Sequence, residues 1–235
     1  MKIAVCTPHY GDVTAGYAFS LATMLVRMAK TPVEYNGTVT APETNLFLAT
    51  SSVLPQLRNV LYAQAVEWGA NYLLWVDADQ TFPEDALLRL LSLNLPVVGA
   101  NYPRRVAPHQ PTAVGLDGQL VWTTEELADE RKVEQVQSLG FGFCLMDMHV
   151  IEGMRAEQRE QGEEKPLFAV EMVGDGTRII GEDVYFFRQL REAGIPVHVD
   201  HALSWTVGHV HSRVLTNDHV APLGSAGAGG TKGQF

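Results

Sequence analysis

Three short runs of this 235-residue chain carry side chains whose types and spacing could do chemistry. Asp77-Ala78-Asp79 follows directly on the apolar run Tyr72-Leu73-Leu74-Trp75-Val76. Two hard oxygen donors at a strand end suit Mg2+ or Mn2+ shared with a diphosphate, because both ions favour carboxylate and phosphate oxygens. An Asp-X-Asp that only caps a turn is the structural alternative. An EF-hand calcium loop is excluded, since Phe82 stands where its glycine belongs and Leu88 where its final glutamate belongs. Gly181-Glu182-Asp183 opens a helical pattern. A carboxylate there can take a proton from an attacking hydroxyl, or it can simply favour a helix N-terminus. In Trp205-Thr206-Val207-Gly208-His209-Val210-His211 the two histidines are two residues apart and would face the same way in an extended segment. Neutral imidazole ligates Mn2+-type ions, so His209 or His211 can complete a metal site or serve as a strand residue.

The elements that must position these groups alternate between strand and helix. Lys2–Cys6 is an apolar strand running into the loop Thr7-Pro8-His9-Tyr10-Gly11-Asp12, and Thr14–Lys30 has helical spacing. Val33–Thr40 and Leu46–Ala49 read as strands, and the leucines from Leu54 to Leu61 mark a helix that Gly69 ends. Tyr72–Val76 has the continuous apolar character of a central strand covered on both faces. Pro83 opens the next helix, with Glu84 and Asp85 as first-turn acids and no further role. Leu95–Ala100 is a strand broken by Asn101-Tyr102-Pro103-Arg104-Arg105. Glu125–Gln137 reads as a short helix, Phe141–Met148 as a strand and Val150–Glu160 as a helix. Glu182–Ala193 forms an amphipathic helix before a last core strand, Val197–Val199. The pattern predicts an α/β sandwich with a mainly parallel sheet flanked by helices. A single domain over 1–222 is expected, followed by a flexible Gly/Ala-rich tail at 223–235.

Composition narrows the function classes. A net charge of −10 argues against a protein that coats nucleic acid through general electrostatics, although a local basic groove remains compatible with it. The two cysteines, Cys6 and Cys144, sit in apolar strands without metal-ligand or disulfide spacing. No run is long and apolar enough for a membrane span, and the start of the chain lacks a signal-peptide pattern, so a cytosolic location is expected.

Taken together, these features resemble the GT-A-fold glycosyltransferases, especially the family 2-like enzymes of bacteria and phages. The resemblance rests on Arg58-Asn59, on Leu73–Asp79, on Gly140-Phe141-Gly142-Phe143, on Glu182-Asp183, on Gly194 and on Gly208-His209, in that order over residues 1 to 211. It implies a Rossmann-like GT-A domain with a small acceptor-side subregion. The implied reaction is metal-dependent, inverting transfer of a sugar from a nucleoside-diphosphate-sugar, UDP-sugar favoured, to an acceptor hydroxyl. Asp79 would ligate Mn2+ or Mg2+, Asp77 would reach ribose or metal, and His209 would complete the protein ligands. Asp183 would be the base and Glu182 would position the acceptor. Thr7 and Pro8 would meet the nucleoside, Arg58 would approach base or phosphates, and Gly142 would bring backbone close to the donor sugar or acceptor.

Arg104 and Arg105 stand beside Tyr102 and His109 in a basic, aromatic loop suited to phosphates of the donor or of a nucleic-acid acceptor, or to solvent. Hydroxymethylated phage DNA, cell-surface precursors and small glycosides are the acceptor classes that the resemblance implies. Two other functions share the acidic strand end. A sugar-phosphate nucleotidyltransferase would carry a glycine-rich basic loop after its first strand, where this chain has one glycine and no basic residue up to Asp12. A non-catalytic nucleotide-sugar-binding module would need no base.

Overall fold

The computed structural model describes residues 1–174, 176–211, 213–217 and 220. The tail expected at 223–235 lies outside the described residues. The first elements are β1 (Lys2–His9), α1 (Ala15–Lys30), β2 (Val33–Tyr35), β3 (Thr38–Thr40), β4 (Glu43–Thr50) and α2 (Leu54–Trp68). Next come β5 (Tyr72–Val76), β6 (Gln80–Thr81), α3 (Ala86–Ser92), β7 (Val97–Gly99), β8 (Val114–Gly115), α4 (Glu125–Asp129) and β9 (Val133–Ser138). The chain continues through β10 (Phe143–Asp147), α5 (Met148–Glu160), β11 (Glu171–Val173), β12 (Arg178–Ile180) and α6 (Glu182–Glu192). It closes with β13 (Val197–Asp200), α7 (His201–Ser204), β14 (Gly208–His211) and β15 (Arg213–Leu215).

Eight strands form one sheet in the order β4-β1-β5-β10-β7-β13-β9-β8. β4, β1 and β5 run parallel, as do β7 and β13, while β10 lies antiparallel between β5 and β7. The mixed α/β layout with a mostly parallel sheet is the expected one. Strand alternation sends side chains to two apolar layers. Ala4, Cys6, Leu73 and Trp75 pack with α2, α5 and α6 residues such as Leu61, Ile151 and Phe186. Ile3, Val5, Leu74 and Val76 pack with Tyr17 and Met24 of α1 and Leu87 and Leu90 of α3. Every side chain of β5 is buried, which explains its unbroken apolar run. No described helix is long and apolar enough to cross a membrane.

Local chemistry sets the element ends. The Thr14 hydroxyl accepts from the Tyr17 N–H and caps α1, and Gly69 closes α2 with φ of 77°. Two expectations are corrected. The helix anticipated at Glu125–Gln137 stops at Asp129, and Val133–Ser138 is a strand paired with β13. Arg131, at φ 54°, turns the chain between them, and burial of Val136 against the sheet outweighs local helix propensity. The span 33–40 is a two-stranded hairpin reversing at Asn36-Gly37, both at positive φ.

Candidate functional site

β4, β1 and β5 are adjacent and parallel, so their carboxyl ends open on the same edge of the sheet. In open α/β sheets this edge is where ligands gather. A cavity of about 480 Å³ lies there, lined by Pro8 and His9 at the end of β1 and Tyr10 after it, Ser51 and Ser52 after β4, and Asp77 and Asp79 after β5. That volume suits a small-molecule ligand.

The acidic turn is pinned from three sides. The Ala78 carbonyl accepts from Thr14 N at 3.0 Å, at the start of α1. Asp77 N donates to the Gly142 carbonyl at 3.1 Å, just before β10. Val210 N donates to the Asp79 carbonyl at 2.8 Å, and β14 pairs antiparallel with β6 so that His209 faces Gln80 across the ladder. This pairing sets the His209 Nε2 atom 3.4 Å from Asp79 Oδ1. His211, at the exposed end of β14, pairs with Arg213 of β15 and lies beyond the residues paired with β6, leaving His209 as the histidine against Asp79.

The imidazole has a defined tautomer. Its Nδ1 lies 2.9 Å from the Pro103 carbonyl, which can only accept, so Nδ1 carries the proton and Nε2 presents a lone pair. Burial first, and then Arg105, lower its pKa; the Pro103 bond and Asp77 oppose them. A neutral ring with Nδ1–H held by a carbonyl is the arrangement found in metal-ligating histidines. Asp79 Oδ1 is buried and has no hydrogen-bond partner, an orphan acceptor beside that lone pair. Among the described residues no group of three or more His, Cys, Asp or Glu side chains is placed to hold a metal ion. Asp79 and His209 could hold a cation together with ligands from outside the protein.

Arg58 lies behind the acids and away from the cavity. Its side chain is 3% exposed; Nη2 is 3.1 Å from Asp77 Oδ1 and Nε is 3.5 Å from Glu182 Oε1. The guanidinium stacks over Phe141 at 4.7 Å and Trp75 at 5.2 Å. It therefore joins the carboxylate after β5 to the one that opens α6, tying two remote segments with one buried cation. The expected contact of Arg58 with base or phosphates gives way to this bracing role, because the guanidinium is enclosed by aromatic rings. Asp183 is half-buried beside Glu182, its Oδ1 accepting from Val184 N at 2.7 Å. Asp183 and Asp77 both act on the buried Tyr102 phenol, whose pKa is raised, by burial above all, so that it stays protonated.

Two other expected ligand contacts are displaced. Thr7 is fully buried and its hydroxyl is 2.6 Å from Tyr17 Oη, so it stabilises the β1–α1 packing and only Pro8 reaches the cavity. Gly142 faces Tyr102 rather than the cavity: its N–H donates to Tyr102 Oη at 2.9 Å, and an added Cβ would meet Tyr102 Cζ at 2.5 Å. Its lack of a side chain lets the Tyr102 ring lie edge-on to His209, with centroids 5.4 Å apart. Asn101 fixes the same loop, its Oδ1 accepting from Thr112 N and Ala113 N at 3.0 Å each. Nothing in the spacing of Asn101 or Tyr102 signals these contacts, which form only when β7, β10 and β14 come together.

No protein-family model matches the chain, and no curated protein matches its sequence. Solved structures do match. A197 from STIV is similar over 95% of this chain and 98% of its own, with a TM-score of 0.55 and 17% identity. GalNAc-T7, in a crystal structure with UDP, GalNAc and Mn2+, is similar over 89% of this chain, with a TM-score of 0.50 and 12% identity. The chain has a GT-A-like fold. Likeness at these identities concerns the fold, and the match spans only 44% of the GalNAc-T7 chain. Within that GT-A-like fold, Arg58 joins Asp77 to Glu182 and His209 meets Asp79, so two sets of contacts flank the acidic turn that follows β5.

Proposed function

We propose that this chain transfers a sugar from a nucleoside-diphosphate-sugar, a UDP-sugar being favoured, to an acceptor hydroxyl with inversion at the anomeric carbon. The observation that carries this is the meeting of His209 with Asp79, 130 positions apart in sequence, where Asp79 lines a cavity on the carboxyl edge of the sheet. The GT-A-like fold, shared with a protein seen with UDP, GalNAc and Mn2+, supports the choice of donor. Asp79 and His209 would hold Mn2+ or Mg2+, which when bound offsets charge on the departing diphosphate.

The chain's own groups supply the rest. Tyr10, 80% exposed on the cavity rim, offers a ring face for the base, and Pro8 forms the adjoining wall. Asp77, held by Arg58, is fixed as an acceptor for ribose hydroxyls. Asp183 takes the proton from the acceptor hydroxyl as its oxygen attacks, while Glu182, tethered to the same arginine, orients that acceptor. A binding module would need no such base, which favours catalysis over simple capture.

A donor panel with Mn2+, scored by nucleoside diphosphate release, tests the proposal. Wild type is expected to release the diphosphate slowly without acceptor and faster with it. Asp183→Asn should lower transfer by about 10²–10⁴-fold with donor affinity nearly intact. Equal transfer by the two proteins would remove Asp183 from the mechanism, and absence of turnover with every donor would refute sugar transfer.

A further inference from the structure

The acidic turn already has a cation beside it. Arg105 projects from the loop after β7 into the cavity, its Nη2 bonded to Asp79 Oδ2 and its Nε donating to His209 Nε2 at 2.8 Å. The guanidinium thus engages the carboxylate and the imidazole lone pair that a divalent ion would need. Both positions cannot be filled together: the lone pair of Nε2 serves one partner, and two cations on one carboxylate repel.

The loop is built to let Arg105 leave. Its base is held by the Pro103–Pro111 bridge, by Arg104 N donating to the Gln110 carbonyl at 2.7 Å, and by Asn101. Its tip is open, with Val106 79% exposed and the Arg105 side chain 43% exposed. The guanidinium can therefore swing on its own rotamers while the loop base stays in place. Released, it remains on the wall of the cavity that would hold the diphosphate, where a planar fork of donors pairs well with phosphate oxygens.

We propose that Arg105 is a displaceable occupant of the cation position, which holds Asp79 and His209 in the empty protein and transfers to the diphosphate when the metal and nucleotide arrive. The proposal rests on the sugar-transfer function and adds an ordered exchange of charge to it. Metal alone must displace Arg105 without compensation, whereas metal with nucleotide gives the guanidinium a new anionic partner. Removing Arg105 should therefore have opposite effects on the two binding events.

The test is Mn2+ binding by wild type, Arg105→Ala and Arg104→Ala, followed by electron paramagnetic resonance of free Mn2+, alone and with UDP. Thermal melting of each protein controls for folding. Arg105→Ala is expected to bind Mn2+ alone about three- to tenfold more tightly than wild type. In the presence of Mn2+ it should bind UDP about tenfold more weakly. Arg104→Ala, which removes the same charge from the same loop, should leave both near wild type. Unchanged or weaker Mn2+ binding by Arg105→Ala, while wild type binds Mn2+ with UDP, would overturn the exchange and leave sugar transfer standing. Equal effects of the two alanine variants would reduce it to a general field. Failure of all three proteins to bind Mn2+ with or without UDP would overturn both the exchange and the metal-dependent function.

Discussion

Replacing Arg58 by methionine isolates the buried cation that joins the two acidic segments. The 3.1 Å contact with Asp77 is a full charge-assisted hydrogen bond, and such bonds contribute about 2 kcal/mol. The 3.5 Å contact with Glu182 is at the outer limit and adds about 0.5 kcal/mol. Loss of the guanidinium also leaves two carboxylates, 29% and 16% exposed, without their counter-charge, costing about 1 kcal/mol more. Stacking over Phe141 and Trp75 is largely replaced by methionine–aromatic contact. Relief of the unpartnered Nη1 donor offsets part of the rest. The expected loss is about 3 kcal/mol, or about 6–12 °C in Tm for a chain of this length. Urea unfolding and calorimetry on Arg58→Met, and on the triple variant with Asp77→Asn and Glu182→Gln, measure it. The triple variant should recover about 1 kcal/mol, roughly a third of the loss, because no uncompensated charge remains. A change within about 0.5 kcal/mol for the single variant, the scatter of ordinary surface substitutions, would refute the bracing role. So would a triple variant as unstable as the single.

Gly142→Ala should cost about 1–3 kcal/mol, since its Cβ would push on the Tyr102 ring and, through the Gly142–Asp77 bond, on the acidic turn; urea midpoints check this, and neutrality would contradict the packing. Stability should fall as the pH drops below about 6.5. His198 and His201 have pKa values lowered chiefly by burial, so the unfolded chain gains protons there that the folded chain refuses. Each contributes a slope of at most about 1.4 kcal/mol per pH unit, from 6.5 down to its folded pKa, and none well above 6.5. Urea titrations at pH 7.5 and 5.5 should show the decline, and His201→Gln should reduce it; an unchanged slope in that variant would exclude His201 as a source.

The groups that were legible in the sequence are those tied to local pattern. An unbroken apolar run announced β5, so the acids that follow it had to lie at a strand end, and a helical start placed Glu182 and Asp183 together. His209 was legible as an extended residue, but its distance from Asp79 is set by pairing between β6 and β14, which no local pattern encodes. Arg58 sits on a regular helix, and only the packing of α2 against β5 and α6 shows that it faces inward to Asp77 and Glu182. Thr7 follows an apolar run like a loop residue, yet β1 continues to His9 and carries it inside. The loop arginines were visible as basic residues after a strand; which of them meets Asp79 depends on loop geometry held by Asn101 and Gln110. Val133–Ser138 continues the helical pattern of α4 in the sequence, but pairing with its neighbour β13 makes it a strand.

Anomalous diffraction from crystals grown with Mn2+ and UDP addresses the core of the mechanism most directly. A single Mn2+ peak within coordination distance of one Asp79 carboxylate oxygen and His209 Nε2, with the diphosphate completing its shell, is the predicted result. A peak that touches neither residue, or UDP bound away from the β1, β4 and β5 ends, would contradict it.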